Sequence, residues 1–107
     1  MKIDYEASKR YWDANACGKD PIVAGNTMGS DPSFALYRHR CEVRRLKRFA
    51  DFSGKTMLDL GCGSARFGIA LSPLLSAYVG VDISAEQINL AKKALCHCPH
   101  VRLLQEM

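Results

Sequence analysis

The stretch "TMLDLGCGSARFG", residues 56–68, decides the fold. It begins with a short apolar run of buried-strand length, passes through Gly61 and Gly63, and continues into a segment with helical patterning. A strand feeding a glycine turn and then a helix gathers backbone N–H groups beside the end of the strand, where a polar ligand can sit. Gly61 accepts the backbone angles that a tight turn demands. Gly63, with no side chain, lets a ligand approach the main chain.

Outward from this turn the chain alternates strand and helix. "ARFGIALSPLL" (65–75) reads as a helix that Pro73 ends or kinks. "AYVGVD" (77–82) reads as a second strand. Ser84 and Gln87 stand at capping-box spacing ahead of a third helical segment, "AEQINLAKKAL", with Ile88, Ala91 and Leu95 directed at the sheet. "VRLLQ" (101–105) is a third strand. The β-α-β-α-β order, with crossovers of this length, predicts an α/β fold: a Rossmann-like three-layer sandwich around a parallel sheet. An N-terminal helical extension precedes it. Residues 1–16 are predicted helical, with Ile3, Ala7, Tyr11 and Ala14 on one stripe. Residues 17–32, rich in Gly, Pro and Asp, are predicted to be a loop. Asp31-Pro32 starts a helix that runs to about Ala50, with Leu36, Val43, Leu46 and Ala50 as its apolar stripe. The division is therefore 1–32, helix and loop, and 33–107, the α/β unit.

Asp82 ends the second strand, and a carboxylate there can accept hydrogen bonds from both hydroxyls of a ribose. A dinucleotide fold requires a third small residue at the position held by Arg66, which does not suit close helix–strand packing. One place earlier stands Ala65, giving Gly-x-Gly-x-Ala. Asp59 lies within an apolar strand, where an unpaired carboxylate is costly. It is expected to accept hydrogen bonds from loop N–H groups, as a structural or a ligand-contacting residue. Cys62 is expected to contribute its backbone alone.

"LDLGCGSA" followed by "VGVDIS" resembles the first two strands and loops of class I S-adenosylmethionine-dependent methyltransferases, with Ala65 where many members have glycine. It is most similar to the small-molecule enzymes of the ubiquinone/menaquinone-biosynthesis type. The resemblance covers about residues 33–107. It implies S-adenosylmethionine as cofactor and methyl transfer to a small-molecule acceptor. It implies that Gly61 and Gly63 line the methionine part, that Asp59 reaches the amino group through water, that Asp82 holds the ribose and that Ile83 packs on the adenine. Tyr11, Trp12 and Tyr37 could then form part of a lid or simply pack. Such a domain has seven strands, so the expectation is the cofactor half of a longer enzyme, ending after the third strand. The alternative is a complete chain whose open first strand is covered by self-association or a partner chain. No catalytic residue is assigned. A non-catalytic nucleotide-binding or interaction module, or a fragment of a dinucleotide-dependent oxidoreductase, are the rival classes.

Composition agrees with a globular protein. The chain is 48% hydrophobic and 24% charged, with a net charge of +4. No apolar run approaches the roughly 20 residues of a membrane helix. The polar N-terminus is not a secretory signal, so the five cysteines are read as reduced thiols of a cytoplasmic protein. "CHCPH" (96–100) lacks the second ligand pair of a zinc site, and no metal is expected. The basic run "YRHRCEVRRLKR" (37–48) scatters its charges around a helix with no interleaved aromatics, so it is read as a solvated face rather than a nucleic-acid interface. His39, His97 and His100 are placed on surfaces.

Overall fold

The computed structural model describes residues 2–16, 20–24 and 31–106. Residues 17–19 and 25–30 of the expected loop, with Cys17, lie outside the described residues. The elements are α1 (Tyr5–Ala16), α2 (Pro21–Ala24), α3 (Pro32–Phe49), β1 (Thr56–Leu60), α4 (Arg66–Leu71), β2 (Ala77–Asp82), α5 (Ala85–Ala94) and β3 (Val101–Gln105).

Local chemistry explains most boundaries. Asp31 accepts from the N–H of Ser33 at 2.9 Å with Pro32 in the first turn. The helix α3 thus starts where a capped proline allows. Ser84 accepts from the N–H of Gln87 at 3.2 Å and opens α5. The reciprocal arm of the expected capping box does not form, because Ser84 N–H is taken by Asp82 Oδ1. Pro73 falls just after α4, as its missing N–H requires.

The three strands pair in the order β1-β2-β3, all parallel, with Met57 opposite Tyr78 and Tyr78 opposite Val101. Alternation places Met57, Asp59, Tyr78, Gly80, Val101 and Leu103 on one face. That face carries the core, built on Leu71, Leu75, Tyr78, Ala91 and Leu95, with Val43 and Leu46 of α3 packed against it. Ile88, Ala91 and Leu95 are buried as expected. Leu58 and Leu60 point the other way and are 61% and 74% exposed, so β1 alternates instead of being buried throughout. The reason is that, among the described residues, the core and the helices that build it lie on one face of the sheet.

Four other expectations are corrected. The stripe Ile3, Ala7, Tyr11 and Ala14 is exposed, with Ile3 at the rim of the cavity described below, and α1 instead turns Trp12, Asp13, Asn15 and Ala16 inward. Its attachment is polar, which hydrophobic periodicity cannot register. The expected loop contains α2, one turn started by Pro21 and by Asp20 accepting from Ile22 N–H at 2.9 Å. In α3, Leu36 and Ala50 are exposed, and the inner stripe is Ala35, His39, Val43 and Leu46. His39 is thus buried, not superficial.

Candidate functional site

β1 and β2 end side by side, and the loops that leave them form the floor of the site. The turn after β1 spends its backbone donors on β2. The N–H groups of Gly61 and Cys62 both reach Val81 O, at 2.8 and 3.0 Å. Gly63 N–H reaches Asp82 Oδ2 at 2.8 Å. This path needs Gly61 at φ 71° and Gly63 at φ 57°. Both lie in the left-handed region that glycine enters at little cost. Ala65 follows at φ 60°. That conformation is uncommon for a residue with a side chain. Gly68 brings α4 against the Tyr78 ring, where a Cβ would stand 2.6 Å from Cζ.

Asp82 joins the two loops. Oδ2 takes Gly63 N–H, and Oδ1 takes Ser84 N–H at 2.9 Å. Each oxygen retains lone-pair capacity for a second donor. Asp59, on the same face of the sheet as Tyr78, accepts from the Tyr78 hydroxyl at 2.6 Å rather than from loop N–H groups. Burial pushes the Asp59 carboxyl above its usual range; the Tyr78 hydrogen bond and the Arg66 charge oppose this, and Asp82 adds to it. Burial first, then Asp59, drives the Tyr78 phenol upward too. The Cys62 thiol is pushed up to about 12 by burial, with Asp59 and Asp82 adding to it. It therefore remains an un-ionised packing group. Its sulfur fills the space over Gly80, where a Cβ would come within 2.9 Å of it.

A raised acid holds its proton longer in the folded chain than in the unfolded one. Its contribution to stability therefore falls as pH rises from the ordinary carboxylate pKa through the raised one. Asp59→Asn, neutral throughout and still able to accept from Tyr78, is expected to gain in melting temperature over the parent across that window. Thermal melts followed by circular dichroism from about pH 3 to pH 8 check this. Parallel pH profiles for the two proteins would contradict it.

Above this floor lies a cavity of about 710 Å³. All of Asp59, Gly61, Gly63, Asp82 and Ile83 line it. Several lining residues were not singled out as ligand contacts from sequence: Tyr5 and Ser8 of α1, Arg66 of α4, Gln87 of α5 and Glu106 beyond β3. Of the three aromatics considered for a lid, Trp12 lines the cavity, whereas Tyr11 and Tyr37 are exposed at 59% and 66%. No local signal marks Tyr5 or Ser8, because their position depends on how α1 is fastened.

That fastening is a hydrogen-bond cluster around the start of α5. Asp13 Oδ1 accepts from the Ser84 hydroxyl and, at 3.3 Å, from Glu86 N–H. Gln87 Nε2 donates to Trp12 O at 3.4 Å and to Ala24 O at 3.0 Å, and Asn15 Nδ2 also donates to Ala24 O at 3.0 Å. The Ser64 hydroxyl donates to Pro21 O, tying α2 to the glycine turn. Through Ser84, α1 is held two residues along the chain from Asp82.

A parallel sheet whose first strand ends in a glycine turn, gripped by an acid at the end of the second, is a Rossmann-like arrangement. Residues 51–98 match the model of a family described as "Methyltransferase domain". Among solved structures, the chain is similar to phosphoethanolamine N-methyltransferase 1 of Haemonchus contortus at TM-score 0.70 and 17% identity, covering 92% of this chain and 20% of that one. An N-methyltransferase of Bradyrhizobium japonicum WM9 matches at 0.68 and 17%, over 94% of this chain and 47% of that one. Magnesium protoporphyrin IX methyltransferase of Synechocystis PCC 6803 matches at 0.65 and 18%, over 98% and 52%. The chain thus spans between a fifth and about half of the length of these proteins. Comparison with curated protein sequences gives no match.

Proposed function

We propose that the chain binds S-adenosylmethionine and forms the cofactor-holding part of an enzyme that methylates a small-molecule acceptor. The observation that carries this reading is the carboxylate of Asp82, fixed by Gly63 N–H and Ser84 N–H at the wall of the cavity. Its remaining lone pairs suit the two hydroxyls of a ribose. The glycine turn supports the same reading. Its N–H groups at 61, 62 and 63 are taken by Val81 and Asp82, so these three donors are not offered to a pyrophosphate. A ligand without phosphates fits a turn of this kind.

When bound, S-adenosylmethionine supplies a methyl group activated by its sulfonium. The chain's own residues bind and orient. Asp82 holds the sugar, Ile83 offers an apolar face to the adenine, and the bare backbone at Gly61 and Gly63 borders the methionine part. Asp59, held by Tyr78, faces the amino group. Trp12 and Tyr5 line the cavity, and a dry, aligned pocket is the main requirement of an in-line methyl transfer. Cys41, Cys62, Cys96 and Cys98 are free thiols, which accords with a reducing, cytoplasmic setting. No described helix is long and apolar enough to cross a membrane.

Isothermal titration calorimetry tests the reading. S-adenosylhomocysteine is expected to bind with a single-site isotherm, and NADH to give no heat beyond dilution. Tight NADH binding, or silence with S-adenosylhomocysteine, would overturn it.

A further inference from the structure

Arg66 is an unexplained cation in the wall of the cavity. Its side chain is only 18% exposed, and it lines the cavity together with Asp59 and the glycine turn. Three groups fix it. Nη2 donates to Glu42 Oε2 at 2.9 Å, Nη1 lies 3.2 Å from His39 Nδ1, and the guanidinium carbon stands 4.2 Å from the centre of the Phe67 ring. His39 is itself buried, and burial together with the Arg66 charge holds its pKa below the ordinary histidine value; the neutral ring can therefore accept at Nδ1. Glu42 is shared, because its other oxygen pairs with Arg38 at 2.9 Å. Two arginines on one carboxylate leave a positive charge uncompensated. Asp59 feels that charge, yet no ion pair joins it to Arg66 among the described residues. A guanidinium has five N–H donors, and His39 and Glu42 engage one each. The side chain is thus held rigidly from the α3 side, with donors to spare, beside a cavity.

We propose that Arg66, clamped by Glu42 and His39, binds a carboxylate or phosphate group of the molecule held in this cavity. The proposal rests on the cofactor reading above and deepens it. Planar, pre-fixed guanidinium donors match such an anion in two-pronged geometry, and burial strengthens the contact. Two sources have this chemistry: the carboxylate at the amino-acid end of the cofactor, or an anionic group of the acceptor. Arg66 occupies the position that a dinucleotide fold gives to a small packing residue. Its long side chain is tolerated here because Gly68 makes the close helix–strand contact instead.

Binding is followed by the fluorescence of Trp12, the one tryptophan in the sequence, which lines the same cavity. The probes are S-adenosylhomocysteine, 5′-methylthioadenosine, which keeps the nucleoside and thioether but lacks the carboxylate, and inorganic phosphate added to the chain saturated with S-adenosylhomocysteine. If the cofactor is the source, Arg66→Met weakens S-adenosylhomocysteine about 10- to 100-fold and leaves 5′-methylthioadenosine unchanged. Arg66→Lys then recovers part of the loss. If the acceptor is the source, Arg66→Met leaves S-adenosylhomocysteine unchanged and abolishes the binding of phosphate to the saturated chain. Equal weakening of both nucleosides would show a structural role and overturn the proposal, as would no change with any probe. If the unaltered chain binds neither nucleoside, the cofactor reading fails and takes this proposal with it.

Discussion

Replacing Asp82 with alanine is expected to weaken S-adenosylhomocysteine binding by about 100-fold or more, since two hydrogen bonds to a charged acceptor disappear together. The same change reaches the fold. Gly63 N–H and Ser84 N–H both lose their acceptor, and among the described residues neither donates to any other group. Each part-buried orphan costs about 1–3 kcal/mol. The melting temperature is therefore expected to fall as well. Asp82→Asn separates the two effects. Its carbonyl oxygen can serve one loop, but its amide group presents donors to the other N–H. It should recover part of the stability and little of the binding. Calorimetry and thermal melts on both variants check this. An Asp82→Ala protein that binds S-adenosylhomocysteine as the parent does would remove the foundation of the functional reading.

The second large effect is expected at Gly68. A methyl group there would stand 2.6 Å from Tyr78 Cζ and 2.7 Å from Cε1, well inside contact distance. The ring cannot swing away: Tyr78 is fully buried and its hydroxyl is tied to Asp59. α4 must lift from β2 instead. Overpacking of this kind costs about 1–3 kcal/mol, against roughly 1 kcal/mol returned by the helical preference of alanine. The net cost should be about 2 kcal/mol, because a displaced ring also loosens its grip on the Asp59 carboxylate. For a domain of this size, thermal melts should show a loss of about 5–15 °C. Pairing Gly68→Ala with Tyr78→Leu opens room for the methyl and should give a double-mutant interaction energy of favourable sign. Strict additivity of the two changes would show that the clash is relieved elsewhere.

What was legible in the sequence is what repeats at short range. The strands at 56–60, 77–82 and 101–105, their parallel order and the caps at Asp31 and Ser84 follow from local pattern and turn chemistry. Asp59, Gly61, Gly63, Asp82 and Ile83 could be placed near one another because a βαβ unit brings consecutive strand ends together. What escaped are contacts between distant segments made by polar groups. α1 is attached through Asp13 and Gln87, so its apolar stripe points the wrong way for a reading based on hydrophobic spacing. His39 is buried because Arg66 and Phe67 cover it, and neither lies near it in sequence. Asp59 looked like a carboxylate for loop N–H groups, but those groups had already turned to Val81 and Asp82, and a tyrosine on the neighbouring strand served instead. Arg66 entered the reading as a misfit at a packing position; its role as a cavity residue emerges only once α3 stands beside it.

The polar fastening of α1 has a thermodynamic consequence. Of the residues in this helix only Ala16 is fully buried, so its detachment uncovers little apolar surface. An opening of that kind carries a small heat-capacity change and a shallow response to urea. In native-state hydrogen exchange the amides of Tyr5–Ala16 would then form a separate cooperative unit, releasing with a free energy nearly independent of denaturant while the strands exchange through global unfolding. Access to the interior would follow the chemistry of a few hydrogen bonds and not the stability of the sheet.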